Sequence, residues 1–205
     1  MQQGLMSIDL VRSVYDAVTD WTDRIDDMDD ADDPAEGSVT MVDAEQFRAV
    51  LGQFATGVTV VTLPGEPPHG ITVSAFASLS MDPPLVLISL DHDTDAHRRL
   101  ADGDDDGFAV NILARDQREV GEFFAGMTDD GDPLAEATDA PATGAPVFDD
   151  DLAYVDCSVY DSFEAGDHTV YVGKVEAAEL LNPEAEALTY HRGEWGTTAE
   201  TTDDA

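Results

Sequence analysis

The chain has 205 residues and a formal net charge of −36, with 45 Asp and Glu against 9 Lys and Arg. Such a surface offers no basic stripe to neutralise phosphates, which excludes a nucleic-acid partner, and no stretch reaches the ~20 apolar residues that cross a bilayer. The acidity is spread along the sequence, as for a solvated surface; it fits the cytoplasm of an extreme halophile, where a Debye length of ~3 Å at 1 M salt screens self-repulsion, the alternative being an acidic protein of a mesophile.

Residues 1–36 read as an appendage. Leu10, Val14, Val18, Trp21 and Ile25 recur at helical spacing behind Ser7, a suitable N-cap, so an amphipathic helix is expected over 7–25. Its stripe would pack on the domain, on a partner subunit, or remain loosely held. The acidic run 26–37, with one proline, reads as a linker. No basic region leads into an apolar run and a small-residue cleavage site, so a cytoplasmic location is expected. The lone Cys157 allows no internal disulfide and reads as a small buried hydrophobe.

The main domain is expected over 37–195. Asp43 caps a helix, with Gln46 three residues on and Phe47, Val50, Leu51 and Phe54 as its buried face; Gly57 ends it. Strands follow over Val58–Leu63 and Ile71–Phe76, joined by a Gly/Pro turn. Pro83-Pro84 then breaks the chain before an apolar strand, Leu85–Leu90. Thr94 opens a short helix to Leu100, Gly107–Leu113 is a strand, and Gln117–Phe124 is a helix. The stretch 126–150 lacks apolar periodicity and is long for a connection, so a mobile or functional loop is expected. Ala153–Phe163 and Thr169–Leu181 are the last two of six strands, and residues 196–205 form a frayed acidic tail. Short turns between strands favour a mainly β fold with flanking helices, a Greek-key-like antiparallel barrel.

Gly70–Leu90, G-I-T-V-S-A-F-A-S-L-S-M-D-P-P-L-V-L-I-S-L, is the candidate for a site. It sets Thr72, Ser74, Ser78 and Ser80 among β-branched and aromatic residues. Short hydroxyls bring a ligand close to backbone N–H groups, as a cofactor pocket requires. On composition alone the cluster is equally ordinary strand and turn material. Thr94 with Arg98 and Arg99 offers a phosphate site or merely cations on an acidic surface. His168, in G-D-H-T, is a turn residue or a ligand contact. His69, His92, His97 and His191 lack the spacing of a metal set, so no metal is expected.

Taken in order, F-x-x-x-L-x-x-F-A-T-G-V-T-V-V-T, the Gly70–Leu90 run, F-A-V-N-I-L and G-D-H-T-V-Y-V-G-K-V resemble the flavin reductase-like family of FMN-binding split barrels. The resemblance covers roughly Phe47 to Trp195. It implies a split β-barrel of the FMN-binding type, a homodimer, that binds FMN or FAD and reduces it with NADH or NADPH by hydride transfer to flavin N5. It also implies a possible oxygenase partner that takes the reduced flavin. The alternative is an FMN-binding carrier, sensor or structural protein without reductase turnover.

By the same resemblance, Thr72, Val73, Ser74 and Ala75 lie along the isoalloxazine ring, and Ser78, Leu79 and Ser80 near the ribityl chain and phosphate. Ser89, Leu90 and Asp91, with Thr94 and Arg98 at the following helix, complete the phosphate side. Asn111 supports the pocket, and His168 lies on the nicotinamide side. Segments 1–36 and 126–150 fall outside the family pattern.

Overall fold

The computed structural model describes residues 42–103 and 105–198. The helix expected over 7–25, the linker at 26–37 and residues 199–205 of the expected tail lie outside them, whereas Gly196 and Thr197, expected to be frayed, belong to a paired strand (Glu194–Thr197) that aligns them with Thr189 and Leu188. Among the described residues, three α-helices, α1 (Ala44–Leu51), α2 (Asp95–Asp102) and α3 (Arg118–Phe124), accompany twelve strands. These begin with β1 (Thr56–Gly57), β2 (Thr59–Leu63), β3 (His69–Val73), β4 (Phe76–Met81), β5 (Pro84–Asp91) and β6 (Gly107–Ile112). They continue with β7 (Thr138–Asp139), β8 (Pro146–Val147), β9 (Ala153–Ala165), β10 (His168–Leu180), β11 (Leu188–His191) and β12 (Glu194–Thr197).

Seven strands form one antiparallel sheet in the order β3-β2-β6-β9-β10-β5-β4. In a flat sheet its two ends would stand about 29 Å apart, six strand spacings of ~4.8 Å. Yet β3 and β4 are joined by Ser74 and Ala75 alone, and the step from Val73 to Phe76 spans at most ~11 Å. The sheet must therefore curl until its ends meet. They meet without pairing, which splits the barrel between β3 and β4. The core confirms the closure: Val73 and Ile71 of β3 and Phe76 of β4 share one apolar cluster with Val61, Ile88, Phe108, Val110 and Tyr171. A Cβ on Gly173 would come within 2.6 Å of the Phe108 ring, so a side chain there would displace that core.

The fold class agrees with the sequence expectation, and β4 is the main addition to it. The Pro83-Pro84 step is the turn of a β4–β5 hairpin, whose register aligns Phe76 with Ile88, Ser78 with Val86 and Ser80 with Leu85. On the other side of β5, Leu85 aligns with Lys174 of β10.

Asp43 does cap α1, its carboxylate accepting the Gln46 N–H at 2.9 Å. The helix stops at Gly52, however, because the Gly52 N–H closes the last turn on Arg48 and Thr56–Gly57 leave to pair with β11 as β1. The expected buried face is also exposed. Phe47, Val50, Leu51 and Phe54 are 54%, 62%, 55% and 76% accessible, since no described element covers them.

The stretch 126–150 is more ordered than expected of a mobile loop. A short 3-10 turn (Pro133–Glu136) and the β7–β8 hairpin fold it back, burying Ala140, Ala145, Val147 and Phe148. The buried Asp156 carboxylate pins it, accepting from Ala142 N (2.7 Å), Thr143 N (3.3 Å) and Thr143 Oγ1 (2.6 Å). Its apolar residues are too isolated to show a period, and their burial depends on this distant carboxylate.

Candidate functional site

The split between β3 and β4 brings Ser74, Ala75, Ser78, Ser89, Asp91 and His168 into one band. The Ser74–Ala75 link lies against β5, where the Ala75 carbonyl accepts the Ser89 N–H at 3.2 Å. Across β5, Ser89 aligns with Val170 and Asp91 with His168. The band thus runs from the link, over the end of β5, to the start of β10. Ser78 and Ser80 lie toward the other end of β5, and at 3.4 Å per residue Val86, opposite Ser78, is about 17 Å from Asp91 along the strand. Only an elongated ligand spans both ends.

β4 is the edge of the sheet, and among the described residues it pairs with β5 alone. Its outer backbone groups are therefore free to meet polar atoms of a planar ring. Ser74, Ala75, Ala77 and Ser78 are small and exposed, and the pairing slips between Ser78 and Ser80, a bulge that turns the strand. These features fit an isoalloxazine ring with its ribityl chain: a flat body against small side chains, with backbone donors at its rim.

The remaining candidates have other partners. Val73 and Leu90 point into the core, 6% and 1% exposed, and can offer only backbone. Thr72 Oγ1 donates to the Gly121 carbonyl at 2.7 Å and ties β3 to α3. Ser80 Oγ accepts the Asp82 N–H at 3.3 Å in the hairpin turn. Leu79 is exposed. Thr94 caps α2: its hydroxyl donates to Asp91 O at 2.7 Å and accepts the His97 N–H at 3.2 Å.

The arginines are committed to acidic neighbours. Arg98 pairs with Asp95 and donates to Asp93 O at 3.1 Å. Arg99 Nε meets the buried Asp105 carboxylate at 2.7 Å, and its guanidinium also holds the carbonyls of Pro64 and Pro67. This clasp joins α2 to the β2–β3 turn, where a groove of about 380 Å³ is lined by Arg98 and Arg99 but not by Thr94 or the candidates on β3, β4 and β5. Burial, with Arg99 beside it, lowers the pKa of His69 in that groove.

Asn111 is fully buried and away from the exposed face of β4. Its amide donates to Val60 O (3.1 Å), Thr62 Oγ1 (3.1 Å) and Pro146 O (3.2 Å), bracing the β2–β6 pair against β8.

His168 opens β10 with Nδ1 held at 2.7 Å by Asp167 Oδ1, and among the described residues Nε2 has no partner. That bond is the first cause lowering the Asp167 carboxyl below its ordinary range. Beside it lie two histidines that spacing rules passed over: His92, whose Nε2 lies 3.0 Å from Thr169 Oγ1, and His97, whose Nδ1 lies 2.9 Å from Tyr171 Oη. The alternation of Thr169 and Tyr171 on one face of a strand was the signal available for them.

An antiparallel barrel split beside a small-residue edge strand defines a flavoprotein-type frame, and comparison with known proteins gives it a family. The flavin reductase-like domain matches residues 51–199, and the chain belongs to that family. It is 36% identical over 164 residues to the NADH-dependent FAD reductase of Streptomyces globisporus, covering 78% of this chain and 88% of that protein. It is 35% identical over 168 residues to the reductase component of a 4-nitrophenol 4-monooxygenase/4-nitrocatechol 2-monooxygenase from Rhodococcus opacus, covering 80% and 86%. Of two further curated relatives the chain spans only 50% and 48%. Among solved structures, the Streptomyces globisporus NADH:FAD oxidoreductase in complex with NAD and FAD fragments superposes with a TM-score of 0.72 at 34% identity, covering 80% of this chain and all of that one.

Proposed function

We propose that the protein is an NAD(P)H-dependent flavin reductase that passes reduced FMN or FAD to an oxygenase. The observation that carries this is the exposed small-residue edge of β4 lying in one band with Ser89, Asp91 and His168, in a chain of the flavin reductase-like family. When bound, the flavin supplies a hydride acceptor for the reduced nicotinamide. The protein's task is placement and exclusion of water. Ser74, Ala75 and Ser78, with the free backbone of β4, would hold the ring and ribityl chain. The Asp91–Thr94 turn would face the phosphate. His168, oriented by Asp167, would donate from Nε2 to the nicotinamide. Names of relatives as NADH-dependent reductases and as monooxygenase components favour NADH and an oxygenase partner.

Among the described residues the band is open, and hydride transfer is protected by water exclusion, so a second copy of the chain would close it. The exposed face of α1 supplies an apolar surface for that homodimer. The −36 charge supports work in a salty cytoplasm.

Anaerobic titration in molar salt tests the reading. FMN or FAD should bind and bleach on addition of NADH or NADPH, and His168→Ala should raise the nicotinamide KM about tenfold or more with a smaller change in kcat. A protein that takes up no flavin would sink it; flavin binding without nicotinamide oxidation would leave a carrier or sensor.

A further inference from the structure

The chain approaches His168 along an open edge of the sheet. β9 pairs with β6 only as far as Ser158, and from Asp161 to Ala165 it pairs, among the described residues, with β10 alone. The two-residue link Gly166–Asp167, with Gly166 at φ 69°, joins this half of β9 to the start of β10 and fixes one against the other.

Directly opposed residues of an antiparallel pair share a face of the sheet. Phe163 opposes Val170, which opposes Ser89; one row along, Ala165 opposes His168, which opposes Asp91. Phe163 therefore stands on the face that carries His168, one strand outside it and two strands outside Ser89, roughly 10 Å from the latter. It is 52% exposed, and the only side chain between it and the turn on that face is the small Ala165.

In the reading above the flavin lies over Ser89 and the Ser74–Ala75 link. Hydride transfer brings the nicotinamide to about 3–3.5 Å from that ring, which keeps it over β5 and the start of β10, short of Phe163. The second ring of the dinucleotide is the adenine, and the pyrophosphate linker lets the two rings lie that far apart. Charge does little to hold it. Asp91 and Asp161 share this face, and Asp167 lies at the turn. Arg98 is paired with Asp95, and Lys174 is about 20 Å from His168 along β10. Stacking of a base on an aromatic ring is worth about tenfold or more in affinity, and unlike an ion pair it is not screened by salt.

We propose that Phe163 is the stacking platform for the adenine ring of the nicotinamide dinucleotide, so that the β9–β10 hairpin grips both ends of the co-substrate. The proposal rests on the reductase reading given above. Phe163 touches no reacting atom; it selects the dinucleotide over the mononucleotide.

Three ligands test it on the full-length protein in molar salt. ADP-ribose has the adenine and pyrophosphate but no hydride to give, NADH has both rings, and reduced nicotinamide mononucleotide lacks the adenine. ADP-ribose binding, read by calorimetry, should weaken about tenfold in Phe163→Ala and be kept in Phe163→Trp. The NADH KM should rise about tenfold in Phe163→Ala with kcat little changed, while the mononucleotide KM moves less than about twofold. Tyr160→Ala removes another exposed aromatic, one that the bulge opposite Val172 and Gly173 leaves without a partner residue, and should alter none of these values. ADP-ribose that binds the parent and Phe163→Ala equally, or binds neither, would overturn the proposal, as would KM values that rise together for NADH and the mononucleotide. Absence of flavin turnover would overturn the reductase reading, while the ADP-ribose titration would still decide whether Phe163 holds an adenine.

Discussion

Asp151 accepts a hydrogen bond from Gln117 Nε2 at 2.9 Å with its side chain wholly removed from solvent, and its other oxygen, Oδ2, has no partner among the described residues. Gln117 is itself fixed, its Oε1 accepting the Ala114 N–H at 2.8 Å. Burial pushes the Asp151 carboxyl from 3.8 up to about 7, and the Gln117 bond only partly opposes this. The folded state therefore holds a proton that the unfolded chain has released. The resulting stability is fully present below about pH 4 and is lost as pH rises toward 7. Asp151→Asn should remove that slope and raise stability at pH 8 by on the order of 2–4 kcal/mol, with little gain near pH 4. Urea unfolding at the two pH values, in fixed molar salt, checks it.

Asp156 holds the 138–147 hairpin through three accepted bonds, two of them from backbone N–H groups. Asp156→Ala would strip those donors of their partner and cost about 2–4 kcal/mol. Limited proteolysis should then cut near Ala142 and Thr143, while the parent protein resists there.

The floor of the proposed flavin site depends on small side chains. Ala77→Leu places a branched chain on the exposed face of β4 without entering the core. Flavin affinity should fall about tenfold or more, measured by fluorescence quenching, with the far-ultraviolet spectrum of the barrel unchanged. Unaltered affinity would place the flavin elsewhere.

If a second copy covers the band, α1 is a natural part of the contact. Phe47→Asp with Phe54→Asp should convert a dimer to a monomer in sedimentation at molar salt. The same change should weaken flavin binding, since the site would reopen to water. A parent protein that already sediments as a monomer would count against the homodimer.

An anionic flavin must approach a surface of net charge −36. Its affinity should climb with salt until the Debye length has fallen to about 3 Å, near 1 M. A steady fall in affinity from dilute buffer upward would contradict this.

Much of the barrel was legible because its strands carry local signals: β-branched runs at Thr59–Leu63 and Leu85–Leu90, and turns rich in Gly and Pro between them. β4 escaped notice because F-A-S-L-S-M has no β-branched residue and alternates only over Ser78–Met81, and it is a strand through pairing with β5. The α1 face illustrates the opposite limit. Periodicity shows that Phe47, Val50, Leu51 and Phe54 share a side, but not that any described element packs on it. For the proposed site, motif order pointed to Ser74–Ala75, Ser89, Asp91 and His168, which the fold places in one band. It could not show that Thr72, Thr94 and Asn111 spend their polar groups on neighbouring backbone, because those partners are distant in sequence or belong to a cap.

Lys174 is the only lysine in the chain, half-exposed and paired with Glu176 Oε1 at 3.0 Å. In register it faces Leu85, which faces Ser80 across the next strand. Two strand spacings separate it from the ribityl end of the proposed site, roughly 10 Å. An amine-reactive dye would therefore find one side-chain target, already placed within quenching range of a bound flavin. Loading and release could then be followed in real time without engineering a cysteine or adding a tag.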